Sequence, residues 1–374
     1  WLRGVGYHES VAGLIDRRWL DSYGPDRPIR VQHRGGRLWV LNTRGIDYLG
    51  QYCEGNFPVG MNEDSGHLFD EDAWLRTITG KRPPDLSDVS QRLASYGVSA
   101  VTDMTPQNDI RVAELLIQQQ IEGGLCQDVL MAGTLYPESA LPISDKPSSS
   151  LRVGPFKIHL HEARLPDFEV LCDMIHKSHL AQRPIAVHCV TEIELVFTLA
   201  ALQETGTLEG DRIEHASVAP PQLLQQMKAL GVIVVTQPNF ILERGDQYLE
   251  DVDACDLSSL YRCESFFRSG IRLAGGTDAP FGQPDPWLAI SAAVNRKTFK
   301  GQIVNSAEAL SPEQAVELFM GDIESPGKPR VIAVGEPADL CLLDCRWGTA
   351  RTALTSNRVR ATWCGGKLIY NRVD

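Results

Sequence analysis

The chain has 374 residues, of which 43% are hydrophobic and 22% charged, and its net charge is −12. These values are typical of a globular protein and exclude a disordered or fibrous chain. The negative charge argues against a nucleic-acid-binding protein, which would carry a basic face. Because no apolar run approaches the length of a membrane-spanning helix, we expect neither nucleic acid nor a membrane as a partner.

The length suits one large domain with an appendage. The nine cysteines are an odd number and include no C-x-x-C pair, which is typical of reduced core cysteines in a cytoplasmic protein. No signal peptide is visible, and a start at Trp1 without Met is compatible with a lost leader. We therefore expect a cytoplasmic protein.

Residues 1–75 show little periodicity and predict a loop-rich segment that packs on the main domain. Within this segment, residues 26–41 predict a β-hairpin that turns at Gly35–Gly36. His8–Glu9 would begin the zinc-protease motif H-E-x-x-H, but Ala12 occupies the position of the second histidine. That motif is therefore absent.

From residue 85 onward, strand-like and helix-like segments alternate regularly. Apolar runs predict seven strands, near residues 98, 128, 155, 185, 212, 232 and 271. Helical periodicity lies between them, and Thr191-x-x-Glu194 has the pattern of a capping box. The stretch 237–270 is interpreted as irregular pocket loop. Alternation at this spacing predicts a parallel sheet with right-handed crossovers.

A closed (β/α)8 TIM-type barrel has eight strands, so one strand is unaccounted for. We expect it before Trp1 or within the first 75 residues. The sequence therefore predicts an α/β fold with a barrel over residues 76–325, of which the first strand is missing from this chain. From residue 326 the pattern is β-like, with a strand at 338–344 and a hairpin at 360–370, which predicts a small β appendage.

Four of the strand-like segments deliver a residue suited to metal chemistry at or near their C-terminal ends: Lys157, His188, His215 and Asp278. In a parallel barrel these ends converge on one pocket. Neutral imidazoles are good zinc ligands, although either histidine alone is more often a hydrogen-bonded core residue. A carboxylate beside a metal ion can bind it and take the proton of an attacking water, whereas the alternative for Asp278 is a turn residue that caps its own loop.

Lys157 is the only lysine in a buried strand of this region. Burial lowers the pKa of an amine, and a neutral amine can react with carbon dioxide to give a carbamate that bridges two metal ions. The alternative is a lysine paired with a carboxylate such as Glu162. His159 and His161 share the face of Lys157 if the strand continues, and both would then enter the pocket. The alternative for His161 is that it begins the next loop.

Two neighbours of the predicted pocket have weaker signals. Glu214 adjoins His215 and would point the other way in a regular strand, so we expect it to have a structural role. Gln237 ends the next strand and is expected to support a ligand or contact the substrate.

Several motifs together resemble the amidohydrolase superfamily, and most closely its branch called amidohydrolase family 3. These motifs are Val187-His188, Arg212-Ile-Glu-His215-Ala, Gln237-Pro238, Gly276-Thr-Asp278-Ala-Pro280 and the tail Val334-Gly-Glu-Pro-Ala-Asp339-Leu. Residues 1–13 and 31–42 are also similar to that branch, so the resemblance covers nearly the whole chain. It implies a barrel with a β-sandwich built from both chain ends, of which residues 326–374 would be the C-terminal part.

The resemblance also implies a metal centre at Lys157, His188, His215 and Asp278, with Asp278 as the catalytic acid/base. The implied cofactor is one or two divalent ions, with zinc as the expected metal and Lys157 as its carbamate. The implied reaction is hydrolysis of a C–N bond in an amide-like or cyclic amide or amidine small molecule, by a metal-activated water. Because such barrels often pair, a homodimer is expected.

In that family the first strand carries a His-x-His pair, whereas the only such pair here is His159-x-His161, after Lys157. We therefore expect a chain that begins after the first strand and lacks that pair. Two alternatives remain open. One is a truncated or non-catalytic barrel that binds a small molecule without turnover. The other is a different enzyme, such as an isomerase that uses Lys157 or His188 as its acid/base.

Overall fold

The computed structural model describes residues 1–79, 84–134 and 150–373. The chain divides into two compact units, Trp1–Pro84 and Asp85–Asp374. Each unit has its own apolar core. Within the described ranges, no helix combines the length and hydropathy that a bilayer crossing requires.

The first unit contains a five-stranded sheet in the order β1-β2-β3-β5-β4. Its strands are Leu2–Tyr7 (β1), Ile29–His33 (β2), Leu38–Leu41 (β3), Met61–Asn62 (β4) and His67–Phe69 (β5). Its helices are Glu9–Ala12 (α1), Arg17–Tyr23 (α2), Thr43–Cys53 (α3) and Asp72–Thr79 (α4). The hairpin predicted at 26–41 is present as the antiparallel pair β2 and β3. A second pairing, parallel, joins β1 to β2.

Helix α3 was not predicted from the sequence, because Gly45 and Gly50 lower its intrinsic helix propensity. It forms because Asn42 caps it: the Asn42 side chain accepts hydrogen bonds from the backbone N–H groups of Gly45 and Ile29, both at 2.9 Å. The helix then buries Leu49 in the core of the unit. Tertiary packing thus outweighs local propensity, and the segment contains more helix than the loop-rich expectation.

The second unit is built on seven parallel strands whose order in the sheet follows their order in the chain. They are Ala100–Asp103 (β6), Asp128–Gly133 (β7), Leu151–His159 (β8), Ile185–Cys189 (β9), Arg212–His215 (β10), Ile233–Thr236 (β11) and Arg272–Gly275 (β12). All six pairings between neighbours are parallel. The seven predicted strands are confirmed, and in the described part of the chain β6 and β12 are the edges of this sheet.

Helices follow most of these strands, as the alternation predicts. Those of the second unit are Ser87–Ser95 (α5), Ile110–Glu122 (α6), Phe168–Leu180 (α7), Glu192–Thr205 (α8), Pro221–Leu230 (α9), Asn239–Asp251 (α10), Ala254–Leu257 (α11), Cys263–Arg268 (α12), Pro286–Asn295 (α13), Pro312–Glu317 (α14) and Trp347–Ala350 (α15). Short 3₁₀ turns lie at Glu162–Arg164, Ser306–Glu308 and Ser356–Arg358. The predicted capping box at Thr191 and Glu194 starts α8 as expected.

The interpretation of residues 237–270 as irregular loop was wrong, because α10, α11 and α12 lie there. Helix α10 is charged on its exposed side and contains Gly245, which lowers its propensity. That glycine is needed because a Cβ there would lie 2.7 Å from a methyl carbon of Thr298. Phe240, Ile241 and Tyr248 nevertheless have helical spacing, so the sequence carried a usable signal.

The core of the second unit lies between the sheet and its helices. Every second residue of the central strands faces it, including Ile158, Val187 and Ile213, none of them more than 2% exposed. The remaining strand positions face the opposite side of the sheet. Four of the nine cysteines are buried, namely Cys172, Cys189, Cys263 and Cys364, so the expectation of core cysteines holds for those four.

The predicted C-terminal appendage is a three-stranded antiparallel sheet. Its strands are Leu340–Leu343 (β13), Val359–Cys364 (β14) and Lys367–Asn371 (β15), in the order β13-β14-β15. The Thr362 hydroxyl donates to the carbonyl of Ala94 at the end of α5, at 2.7 Å. The small β appendage is therefore confirmed, and the β-sandwich stays a prediction.

Arg296, at the end of α13, is fully buried. Its guanidinium donates to the carbonyls of Val304 (3.1 Å), Tyr261 (2.9 Å) and Leu260 (3.0 Å). One planar cation therefore donates hydrogen bonds to three separate carbonyl groups, of which that of Tyr261 also accepts from the N–H of Cys263. A lysine ammonium cannot reproduce that fork of donors.

We expect Arg296→Lys to lower the free energy of unfolding by about 2–4 kcal/mol, because buried carbonyls lose their donors. Chemical denaturation of the full chain measures this change. The matched control is Arg268→Lys, since the Arg268 side chain is 77% exposed and forms an ion pair with Glu264 in its own helix. Equal effects of the two substitutions would contradict the structural role of Arg296.

Candidate functional site

The register of the parallel strands places several predicted residues on the same face of the sheet. Lys157 pairs with Ala186, and His159 pairs with His188. His188 in turn pairs with Glu214. Residues that pair on neighbouring strands point to the same face of the sheet. The face that points away from the helices therefore carries Lys157, His159, His188 and Glu214.

Four imidazole rings form a row along the ends of β8, β9 and β10. The ring centroid of His188 lies 4.2 Å from that of His159 and 4.4 Å from that of His215. The His161 ring follows, 4.5 Å from His159. The structure thus brings the two predicted histidines together and adds His159 and His161 beside them.

The hydrogen bond of His215 sets its tautomer. Its Nδ1 lies 2.6 Å from Oε1 of Gln237, and the amide nitrogen of Gln237 donates to the carbonyl of Val235 at 3.2 Å. Since Gln237 therefore presents its oxygen, Nδ1 of His215 must carry the proton and donate it. The other ring nitrogen, Nε2, keeps its lone pair, which is the form that binds a metal ion.

Both central histidines are neutral at ordinary pH. The pKa of His215 is lowered to about 3, first by burial and then by the nearby Lys157, against the effect of the Gln237 hydrogen bond. The pKa of His188 is also strongly lowered, first by burial and then by His215 and His159. Neutral rings are the ligand form of histidine, so both rings suit a metal ion.

Lys157 is only 7% exposed, and burial lowers the pKa of its amine. The negative charges of Glu214 and Asp278 oppose this shift, whereas Arg212 adds to it. Glu162, the carboxylate partner considered from the sequence, is not among the groups that act on Lys157 most strongly. The lysine therefore lies among the groups predicted to form the metal centre.

The orientation of Glu214 differs from the sequence-based expectation. It was expected to point away from the pocket, yet it shares the face of His188 and forms a buried ion pair with Arg212, at 2.7 Å. The alternation argument fails because His215 has a φ of 73°, outside the extended range, at the end of β10. Glu214 and Arg212 are therefore charged residues of the site that the sequence argument missed.

Asp278 lies in the loop after β12, and burial raises the pKa of its carboxyl to about 6. Its backbone carbonyl, rather than its carboxylate, closes the turn, since it accepts from the N–H groups of Phe281 (2.8 Å) and Gly282 (3.0 Å). The carboxylate is thus not needed as the loop cap considered from the sequence. Lys157 and Arg244 are the positive charges that act on it.

Helix α10 holds this loop in place. The Asn239 side chain donates to the carbonyl of Thr277 at 3.1 Å, and Arg244 donates to the carbonyl of Phe281 at 2.6 Å. The Arg244 guanidinium also lies 3.8 Å from the ring centroid of Phe240. These positions were inside the stretch interpreted as loop, so the sequence argument did not find them.

The spacing of donor atoms provides a further test. In the described ranges, the one group of three or more His, Cys, Asp or Glu donors that all lie within 4.8 Å of one another is His8, Glu9 and His33. The donors of His188, His215 and Asp278 are therefore more widely spaced than that. The donor chemistry of two neutral imidazoles and a carboxylate nevertheless fits a metal ion.

Comparisons with known proteins agree with this fold. The model of the amidohydrolase family matches residues 16–370. A putative amidohydrolase of Bacillus subtilis, YtcJ, is 23% identical over 435 residues, which cover 100% of this chain and 80% of that protein. The N-substituted formamide deformylase of Arthrobacter pascens is 25% identical over 445 residues, with 100% and 79% covered.

A solved structure of similar fold is an uncharacterized metal-dependent hydrolase from Pyrococcus horikoshii, with a TM-score of 0.66 and 22% identity. The match covers 85% of this chain and 70% of that one. At this identity the likeness shows the fold alone. Because the family match spans nearly the whole chain and the seven-stranded parallel sheet fits a TIM-type barrel, this chain belongs to the amidohydrolase family.

Proposed function

We propose that the chain is a metal-dependent hydrolase that cleaves a C–N bond in an amide-like small molecule. The observation that carries the proposal is the orientation of His215 by Gln237 and Val235, which leaves Nε2 with a lone pair beside His188. Preparing a histidine in this way is typical of metal ligands. Family membership makes hydrolysis the expected chemistry.

The proposed ligands of the metal ion are His188, His215, Lys157 and Asp278. When bound, a divalent ion such as zinc would lower the pKa of water toward neutrality and polarise the substrate carbonyl. The two neutral imidazoles supply nitrogen donors, for which zinc has a good affinity. A binuclear centre would additionally need a bridging anion, and Lys157 is the residue that we propose would provide one.

Lys157 provides that anion only as a carbamate. Its neutral amine nitrogen adds to the carbon of carbon dioxide, a N–C bond forms, and one proton is lost, which leaves one negative charge on two oxygens. Burial favours this reaction because it lowers the pKa of the amine and keeps its lone pair available. The charged ammonium form would neither react nor bind a cation.

Asp278 is the proposed acid/base. With a pKa of about 6, its carboxylate can accept a proton from the attacking water near neutral pH and then donate it to the leaving nitrogen. The hydrogen bonds from Asn239 and Arg244 fix the loop that carries it. A fixed loop matters, because a proton acceptor works only within hydrogen-bond reach.

The substrate class is proposed from the family and from one relative. The name of the Arthrobacter pascens protein describes removal of a formyl group from N-substituted formamides, which are small amides. We infer a small amide-like or cyclic amide substrate for this chain, in the cytoplasm, which the cysteine pattern favours. The homodimer stays a prediction.

Metal content is the first test. We expect the purified full chain to bind about one or two equivalents of zinc at this centre, and the His188→Ala, His215→Ala double variant to lose them. Elemental analysis after removal of free metal measures this. The control is His176→Ala, an exposed histidine of α7. Equal metal content in the double variant and the unmutated chain would leave a barrel that binds small molecules without this chemistry.

Gln237 gives a second test, because its role is to orient a ligand. We expect Gln237→Leu to weaken zinc affinity about 10- to 100-fold, since Nδ1 of His215 loses its acceptor. Competition with a chromogenic chelator measures the affinity. Gln203→Leu, on the exposed side of α8, is the matched control. Unchanged affinity in the Gln237 variant would contradict the tautomer argument.

Lys157 gives a third test. After incubation with isotopically labelled bicarbonate, native mass spectrometry of the full chain is expected to show one bound carbon dioxide, because burial lowers the pKa of the amine and so favours its reactive neutral form. Lys157→Met should abolish the mass increase. Lys177→Met should not, since Lys177 is exposed and paired with Asp173 on α7. A label that persists in the Lys157 variant would exclude the carbamate at this position.

A further inference from the structure

The first unit contains a cluster of donor groups at the ends of two parallel strands. β1 ends at Tyr7, which is paired with His33 at the end of β2. His8 follows β1 directly, and Glu9 is the first residue of α1. Parallel pairing therefore brings His8, Glu9 and His33 together although 24 residues separate Glu9 from His33.

Two of the three distances between the donor atoms match those around a tetrahedral metal ion. Oε2 of Glu9 lies 3.4 Å from Nε2 of His8 and 3.2 Å from Nε2 of His33, and all three atoms lie within 4.8 Å of one another. Zinc bonds of about 2.0–2.1 Å place tetrahedral ligands about 3.3–3.4 Å apart. The observed spacing therefore fits one zinc ion without a large movement of the backbone.

We propose that His8, Glu9 and His33 form a binding site for one divalent transition-metal ion of the zinc class. Two imidazoles and one carboxylate are a donor set that leaves the fourth tetrahedral position open to water or a ligand. The side chains are 18%, 38% and 22% exposed, in chain order, so an ion can reach them from solvent. This site shares no residue with the hydrolase centre proposed above, and its existence does not depend on that proposal.

The hydrogen bonds at Nδ1 of His8 and Nδ1 of His33 determine where each ring carries its proton before a metal ion binds. Nδ1 of His8 accepts a hydrogen bond from the Ser10 backbone N–H at 3.2 Å and lies 2.9 Å from the Ser10 hydroxyl, which can donate to it as well. Without metal the ring proton is therefore on Nε2, the atom that lies 3.4 Å from Oε2 of Glu9. Binding a metal ion at Nε2 would move that proton to Nδ1, which could then donate it to the Ser10 hydroxyl.

His33 must change its tautomer in the same way. Its Nδ1 accepts a hydrogen bond from the backbone N–H of Gly35 at 3.0 Å, so without metal the proton lies on Nε2 and faces Glu9. Binding a metal at Nε2 moves that proton to Nδ1 and breaks the contact with Gly35. The contact belongs to an exposed turn that contains Gly35 and Gly36, where the backbone can move away at small cost.

A different explanation of the same contacts is that Glu9 only accepts hydrogen bonds from two neutral imidazoles. In that case the cluster stabilises the turn and has no particular affinity for metal. The two explanations differ in stoichiometry and in the tautomer of His33, and both quantities can be measured.

The experiment uses the full chain with the His188→Ala, His215→Ala substitutions, so that the barrel site does not contribute. After treatment with chelator, the protein is titrated with zinc in competition with a chromogenic chelator. We expect about one equivalent to bind, and we expect His33→Ala or Glu9→Gln in this background to weaken binding at least tenfold. His67→Ala is the matched control, because His67 lies in the same unit and bonds to the carbonyl of Ile15.

A second measurement shows directly which nitrogen of each histidine ring carries the proton. In spectra of the same protein with ¹⁵N-labelled histidine, zinc is expected to convert His33 from the Nε2–H to the Nδ1–H form, with no such change in His67. Zinc binding that is absent, or unchanged by both His33→Ala and Glu9→Gln, would overturn the proposal. If the background protein does not fold, the unmutated chain with and without His33→Ala gives the same comparison as a loss of one equivalent. Failure of the barrel centre appears separately, as no loss of zinc between the unmutated chain and the double variant.

Discussion

Parallel pairing of β8, β9 and β10 determines which charged and polar groups meet on the inner face of the sheet. The register joins Lys157, His188 and Glu214 through neighbouring strand positions. Burial lowers the pKa values of Lys157 and His188, because a low-dielectric environment disfavours a charge on either side chain. The pKa of Lys157 falls and that of Asp278 rises to about 6, although each charge partly offsets the other. An amine with a lowered pKa, neutral imidazoles and a carboxyl that titrates near neutrality follow from one geometric constraint.

The sequence was sufficient for the strands and for the residues at their ends. Short apolar runs between helical periods have few alternative structures, so all seven strands were predicted. Lys157, His188 and His215 lie at the ends of such strands, and parallel topology alone brings strand ends together. The prediction succeeded for these residues because it needed only local pattern and a topological rule.

The remaining features depend on information that strand alternation does not contain. Glu214 joins the inner face because His215 leaves the extended conformation at a φ of 73°. Helix α10 was missed because its charges and Gly245 obscured a real helical pattern, and with it Asn239 and Arg244 were missed. The cluster of His8, Glu9 and His33 requires a parallel pairing between β1 and β2 that no local motif predicts. Only the last of these three cases depends on a contact between residues that are distant in the chain.

The two histidine sites differ in whether the group at Nδ1 accepts or donates a hydrogen bond. For His215 that group is the amide oxygen of Gln237, an acceptor, so the ring already carries its proton on the far side from a metal ion. For His33 it is the N–H of Gly35, a donor, so the proton lies on the nitrogen that a metal would need. The spacing of the donor atoms alone would favour the cluster of His8, Glu9 and His33 as the metal site, because its three donors lie within 4.8 Å of one another. Tautomer favours His215, and it follows that spacing and protonation have to be considered together when a metal ligand is inferred from a structure.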